Sequence, residues 1–233
     1  LNSSYNDVLD IKNDGYSFGW DKIWNPTLVQ HTKVFLSRYS LAYNYMTSAN
    51  GGQISNFEKK NEIYDSGVST ELILTAKKNN KLTLGYQYVL KDVSYLFKEN
   101  VGSPLILDTD KTIIKTHSIY AQYNYNNSKL FFINMGIRSS YYQELDAVRL
   151  EPRILIYKDI FKNLKIQLSG EIKNQIISEI DETVLSDLSL ENKLWRLADG
   201  KTFPIISSMQ VSAGLIYEAM GWSLDLEGYY KSI

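Results

Sequence analysis

The chain has 233 residues, 44% of them hydrophobic, with 25 Lys and Arg against 26 Asp and Glu for a formal charge of -1. It carries 18 Tyr, 8 Phe, 4 Trp, 4 Pro, two His and no Cys, which excludes a disordered chain, a disulfide scaffold and cysteine-ligated zinc or iron–sulfur sites. The charge balance gives no reason to expect nucleic acid as a partner, and the longest apolar runs, Leu130 to Ile133 and Ile154 to Tyr157, are four residues against the roughly 20 of a membrane-crossing helix.

The opening Leu1 to Asp7 has neither a basic nor an apolar region, so it is not read as a signal peptide; either export is absent or the start of the chain lies elsewhere. From there the sequence alternates. About ten strands are predicted, near 16–25, 31–46, 58–77, 81–97, 112–125, 129–142, 148–158, 163–175, 205–218 and 221–232. In the fourth, Leu82, Leu84, Tyr86, Tyr88 and Leu90 oppose Thr83, Gly85, Gln87 and Lys91. The sixth sets Phe131, Ile133, Met135 and Ile137 against Asn134, Gly136, Arg138 and Ser140. In the eighth, Leu164, Ile166, Leu168 and Ile172 oppose Lys165, Gln167, Ser169, Glu171 and Lys173. The last two repeat the split, with Met209 to Tyr217 and Trp222 to Tyr230 carrying the apolar positions. A period of two gives each strand one apolar and one wet face. Such lengths exceed the ~5–6 residues of an ordinary strand and suit tilted strands that cross lipid in roughly 9–11 residues and project beyond it.

The connections alternate in length. Residues 78–80, 126–128, 159–162 and 220–221 are tight turns rich in Asn, Gly or charge, whereas about 98–111, 143–147 and 176–204 are longer. Short turns at one end and long loops at the other are the layout of an outer-membrane barrel. Two aromatic girdles are expected: Tyr123, Tyr125, Tyr217 and Trp222 beside the short turns, and Tyr95, Phe97, Tyr141, Tyr142, Tyr229 and Tyr230 toward the long loops. Pro152 inside the seventh strand predicts a bulge or local break.

No H-E-x-x-H, G-x-S-x-G or phosphate-binding glycine motif occurs, and no catalytic residue, cofactor or metal site is assigned. His31 and His117 have no local partner motif, and His117 reads as a solvated rim residue. Asp108-Thr-Asp110 lacks the rest of a calcium loop and reads as a polar loop tip; Asp181, Glu182 and Asp187 read the same way. The polar faces carry charge, with Arg149, Glu151 and Arg153 against Lys165, Glu171 and Lys173. Pairing Arg149 opposite Glu171 and Arg153 opposite Gln167 compensates these charges, and that register is expected. In a barrel this wall faces a wet lumen or a polar plug.

Arg149-Leu-Glu-Pro-Arg153, the strand pair ending at Gln175, Leu190 to Pro204, Ser208-Met-Gln210 with Gly214, and Gly221-Trp-Ser-Leu-Asp-Leu-Glu-Gly-Tyr-Tyr-Lys231 together resemble the C-terminal half of the barrel of TonB-dependent outer-membrane receptors, particularly those of Bacteroidota. The likeness is clearest over 148–231. It implies an all-β fold in which residues 1–233 are an antiparallel transmembrane β-barrel segment with short periplasmic turns and longer extracellular loops. The family's 22-strand barrel closes around a plug, so the plug, the TonB box, a signal peptide and further strands are expected outside this stretch. The implied function is import of a scarce ligand, a small molecule or metal chelate such as a siderophore complex, across the Gram-negative outer membrane, with outer-membrane lipid and the TonB complex as partners. It also implies that residues 176–204 form an external loop, with a short helix around 185–197, in which Trp195 and Arg196 contact ligand or pack on neighbours. Arg138, Arg149, Glu151 and Arg153 are the candidates on the wall.

Two alternatives use the same alternation: a complete ten-stranded pore or enzyme, and a secreted β-sandwich binding module. What covers the apolar faces separates them, because a sandwich must bury them sheet against sheet.

Overall fold

The computed structural model describes residues 3–49, 52–77, 79–100, 105–127, 131–181 and 193–233. The alternation becomes an antiparallel meander. Strands β1 (Ser3–Asn25), β2 (Leu28–Ala49), β3 (Gly52–Lys77), β4 (Asn80–Glu99), β5 (Leu105–Asn127), β6 (Phe131–Tyr142), β7 (Ala147–Phe161) and β8 (Leu164–Gln175) pair in chain order. Strand β9 (Ile177–Asp181) pairs with β10 (Lys193–Leu197) as a separate hairpin, and the sheet resumes with β11 (Ile206–Ala219) on β8 and β12 (Trp222–Ser232) on β11.

Local chemistry closes the short ends. Asn25 Oδ1 accepts the Thr27 amide at 2.9 Å and the Thr27 hydroxyl at 2.8 Å, fixing the β1–β2 turn. Met220 (φ 52) and Gly221 (φ 81) make the two-residue β11–β12 turn, whose backbone twist requires positive φ at both centres. At the other end a single 3-10 turn, Gln143–Leu145, joins β6 to β7.

Strands β1 to β5 run for 20 to 26 residues, whereas β6, β7, β8, β11 and β12 run for 11 to 15. The first and fifth begin well before the positions expected from alternation, at Ser3 and Leu105. Asp108 and Asp110 therefore lie within a strand, opposite Phe97 and Tyr95, and not at a loop tip. The ladder continues because hydrogen bonding between backbones does not need an apolar stripe.

The reason the stripe fails there is a polarity crossover. Asp14, Arg38, Tyr64, Asp92 and Ile113 form one row of directly opposed residues across β1 to β5. On the turn side of this row one face carries Phe18, Val34, Val68, Leu84 and Ile119, all 37–73% exposed, and the other carries polar groups. Beyond the row the faces exchange character: Glu62, Lys60 and Lys98 take the formerly apolar side, while Leu41, Tyr43, Val93, Tyr95, Phe97 and Ile114 take the formerly polar side and are buried.

What buries part of that upper apolar surface is the β9–β10 hairpin, folded onto it. Leu197 packs with Val93, Ile114 and Tyr142, and Leu194 with Tyr95 and Phe97. The expected outward girdle is thus corrected at Tyr95, Phe97 and Tyr142, which face the hairpin, whereas Tyr123, Tyr217, Trp222, Tyr141 and Tyr230 stand exposed on the apolar face. The expected helix is also corrected, since 193–197 is a strand; residues 185–192 lie outside the described residues.

Two expectations about β7 change as well. The strand passes through Pro152 without a bulge, and its pairing with β8 stops one residue beyond, at Arg153 opposite Glu171. Past that point the Glu151 carboxylate accepts the Asn174 amide at 2.8 Å in place of a backbone carbonyl. Arg153 opposite Glu171 is also a four-residue displacement from the expected register. It arises because β7 extends to Phe161 and, with a bulge between Asp159 and Phe161, closes on Leu164 in a tighter turn. The charges are compensated, but by different partners.

Among the described residues no second sheet covers the apolar face below the crossover, which removes the sandwich alternative.

Candidate functional site

The polar face below the crossover holds a second continuous row. Asp21, His31, Glu71, Gly85, Tyr120, Arg138 and Glu151 oppose one another in turn across β1 to β7. Each strand contributes one residue because a shared register sets them level. His31 Nδ1 lies 2.5 Å from Asp21 Oδ1. Gly85 has no side chain, and Tyr120 fills the gap: its ring lies where a Cβ would stand, and its hydroxyl donates across to Glu71 at 3.1 Å.

Arg138 is the hub of the β4–β7 part. Its Nη2 donates to Gln87 at 2.6 Å and Ser118 at 2.8 Å, and its Nε donates to Ser140 at 3.2 Å and lies 3.7 Å from Glu151. The guanidinium also stands 5.9 Å from the Tyr120 ring centroid. Arg153 donates to Gln122, and Glu171 opposite it is held by Lys173 at 2.8 Å. These groups line a groove of about 580 Å³. Its cations are matched by carboxylates and amides, so it suits a polar partner presenting both donors and acceptors.

Of the six residues singled out from sequence, the structure gathers Arg138, Glu151 and Arg153 at this groove. Arg149 stands apart on the same strand, its guanidinium turned to the Val148 carbonyl at 3.1 Å. Trp195 and Arg196 sit on β10, far up the wall. The Trp195 backbone is gripped by Asn61, whose side-chain oxygen accepts its amide at 2.7 Å and whose amide donates to its carbonyl at 3.1 Å. Arg196 lies over the Tyr95 and Phe203 rings and 3.6 Å from Asp108. Trp195 also packs against the cluster of Val93, Ile114, Tyr142 and Leu197. Behind them the Phe203 and Lys201 amides each donate to Asp199 at 2.8 Å and hold its carboxyl below the usual carboxylate range.

Sequence reasoning missed Asp21, His31, Glu71, Tyr120 and Asn61. Each sits at a polar-face position, but only the hairpin registers align them. Among the described residues no three His, Asp or Glu side chains converge as a metal ion requires.

Nothing among protein-family models matches the chain, and no curated protein matches it. Solved structures do. The RagAB peptide importer in its open-open state superposes with a TM-score of 0.66 at 9% identity, over 97% of this chain and 30% of that one. BauA, the ferric preacinetobactin receptor of Acinetobacter baumannii, gives 0.59 at 9% identity, over 96% and 37%. The ferric enterobactin receptor PfeA of Pseudomonas aeruginosa, in mutant form, gives 0.54 at 10% identity, over 95% and 42%. The chain shares its fold with the barrel walls of these importers and receptors. The chain spans about a third of the length of these receptors, as a run of barrel wall. In a receptor barrel the groove-bearing polar face is the lumen and the uncovered apolar face meets lipid. The structural neighbours are receptors and importers, not enzymes.

Proposed function

We propose that this chain is part of the wall of an outer-membrane TonB-dependent transporter that imports a scarce ligand, a small molecule or metal chelate such as a siderophore complex. The plug and remaining strands belong to the longer protein of which residues 1–233 are a partial barrel domain. The carrying observation is the opposition of faces: an uncovered apolar belt on one side of ten strands and, level with it, the Asp21 to Glu151 polar row on the other. That combination is stable where lipid bathes one face and a polar plug or water the other.

A complete ten-stranded pore fits less well. Closing it would set β12, 11 residues long, against β1, 23 residues long, and leave about half of the β1 edge bare.

The test uses the full-length protein in a Gram-negative host. Outer-membrane fractionation, heat-modifiable migration and uptake of labelled ferric siderophores and peptides are measured with and without TonB. Outer-membrane location and TonB-dependent uptake support the reading. Uptake unchanged without TonB, or a protein that fractionates without detergent, sinks it.

A further inference from the structure

We propose that the lipid-facing side of β4 to β6 carries a site for one phosphorylated outer-leaflet lipid, its phosphate between Lys115 and His117 and an acyl chain in the groove beneath. The proposal rests on the barrel-wall reading. Three observations converge on it.

The groove comes first. Ala121 lies directly between Leu84 on β4 and Ile137 on β6, and its short side chain leaves a dent among larger neighbours. Ile119 and Ser139 bound the dent toward the extracellular side, and the open volume is about 370 Å³. Its lining is almost wholly apolar, and it is cut into the belt that lipid must cover, so the occupant is a hydrocarbon chain.

The second observation is the polar end. One row above Ser139, His117 lies between Tyr88 and Tyr141 in register, its ring 5.0 Å from that of Tyr88. The Tyr86 hydroxyl is hydrogen-bonded to His117 Nδ1 at 2.9 Å, fixing the ring. Lys115 follows two residues along the same face. Among the described residues its carboxylate partner is Glu144, whose Oε1 lies 3.6 Å from Nζ while Oε2 accepts the Lys115 backbone amide at 2.6 Å, so the ammonium has one long ion-pair contact. Other charges on this face lie higher or to the side: Lys111 with Asp92 at 3.2 Å, and Asp146 accepting from Tyr141 at 3.2 Å.

Position decides the ligand's charge. The crossover row at Asp92 and Ile113 marks where this face leaves lipid, and Lys115 and His117 lie one and two rows below it. Cationic and ionisable side chains facing lipid are costly without a counter-charge. Glu144 meets Lys115 only at 3.6 Å, and a phosphate at the headgroup boundary supplies a closer counter-charge at that depth, with its chains running down toward Ala121. The fixed imidazole and the ammonium, two residues apart on one face of β5, offer neighbouring donors to the phosphate.

The experiment takes the full-length receptor, delipidated in detergent, and follows retention of lipid A and of dephosphorylated lipid A by native mass spectrometry. Wild-type protein and a Lys115→Gln, His117→Phe double variant are compared. One phosphorylated lipid A per wild-type barrel is expected, with retention of the dephosphorylated form, and of either form by the double variant, weaker by roughly tenfold or more. Equal retention of both lipids by the wild type, or unchanged retention by the variant, overturns the site. Comparing the two lipids on wild-type protein keeps the test independent of variant folding. Heat-modifiable migration of the same samples reports the barrel-wall reading separately, since a barrel can assemble normally and lack this site.

Discussion

Tyr120 lies over Gly85 so closely that a methyl group there would stand 2.1 Å from its ring. The glycine exists for the tyrosine, which in turn reaches Glu71. Gly85→Ala in the full-length protein is expected to cost about 1–3 kcal/mol through overpacking, read as a lowered urea midpoint in detergent. In a Tyr120→Ala background that penalty should disappear, and an equal loss in both backgrounds would refute the pairing. Glu58, beyond the crossover on the projecting wall, carries a different lesson. Burial pushes its carboxyl up, but Lys60 at 2.8 Å and Lys98 at 2.7 Å outweigh that and hold it at about 2, below its ordinary 4.5. A depressed carboxyl stabilises the fold at pH values above 4.5 and loses that contribution as pH falls toward 2. Glu58→Gln should therefore loosen β3–β4 at neutral pH, with the difference from wild type vanishing near pH 2, as followed by amide exchange across that strand pair.

At the scale of the element, β8 shows how strictly the two faces differ. Leu168 is 42% exposed on the apolar face, and Ser169, its neighbour, is on the polar face bonded to Ser212 at 2.7 Å. Leu168→Arg should impair assembly by roughly 2–4 kcal/mol near the bilayer midplane, whereas Gln167→Arg on the lumen side should assemble normally. Yields of heat-resistant barrel measure both, and equal yields would contradict the assigned facing. The β9–β10 hairpin is anchored in part by a buried amide: Asn61, 1% exposed, bonds the Trp195 backbone twice and the Ser94 carbonyl at 3.0 Å. Asn61→Leu removes all three and strands buried backbone groups, at a cost of about 1–3 kcal/mol for each left unpaired. Amide exchange at Trp195 should accelerate sharply in this variant while β11 stays protected. Unchanged exchange would mean that the apolar contacts of Leu194 and Leu197 suffice.

Across the whole molecule, the Asp14 to Ile113 row divides two patterns of polarity, and in the proposed barrel it is the waterline: lipid and lumen lie below it, and above it water lies outside and the folded hairpin inside. Much of the polar face below the row is paired across strands, as Arg138 with Gln87 and Ser118 and Ser169 with Ser212 show. The sheet pairs β1 and β12 on one side each, which leaves two backbone edges and a broad apolar face uncovered in the isolated chain. Residues 1–233 produced alone should need detergent and self-associate on its removal, as light scattering would record. A monodisperse monomer in plain buffer would show that the apolar face is covered in some other way.

The ten strands, their two faces and most of the tight turns were legible in the sequence, because alternation and turn chemistry are local: Leu164 to Lys173 and Met220-Gly221 carry their own instructions. The resemblance carried by 148–231 likewise pointed to the barrel fold that the superpositions bear out. Tertiary structure alone decided which residues meet. Register couples strands distant in sequence, and a slip of a few residues still balances charge, as the Arg153–Glu171 pair shows against the expected Arg149–Glu171. Asp21, His31, Glu71 and Tyr120 became one row with Arg138 only when successive hairpins had fixed their offsets. The fold of 193–197 was hidden for a related reason, since Leu194 and Leu197, three apart, share a helix face and not a strand face, and the strand rests on pairing with Ile177–Asp181 and on the hold of Asn61 on Trp195, 134 residues away.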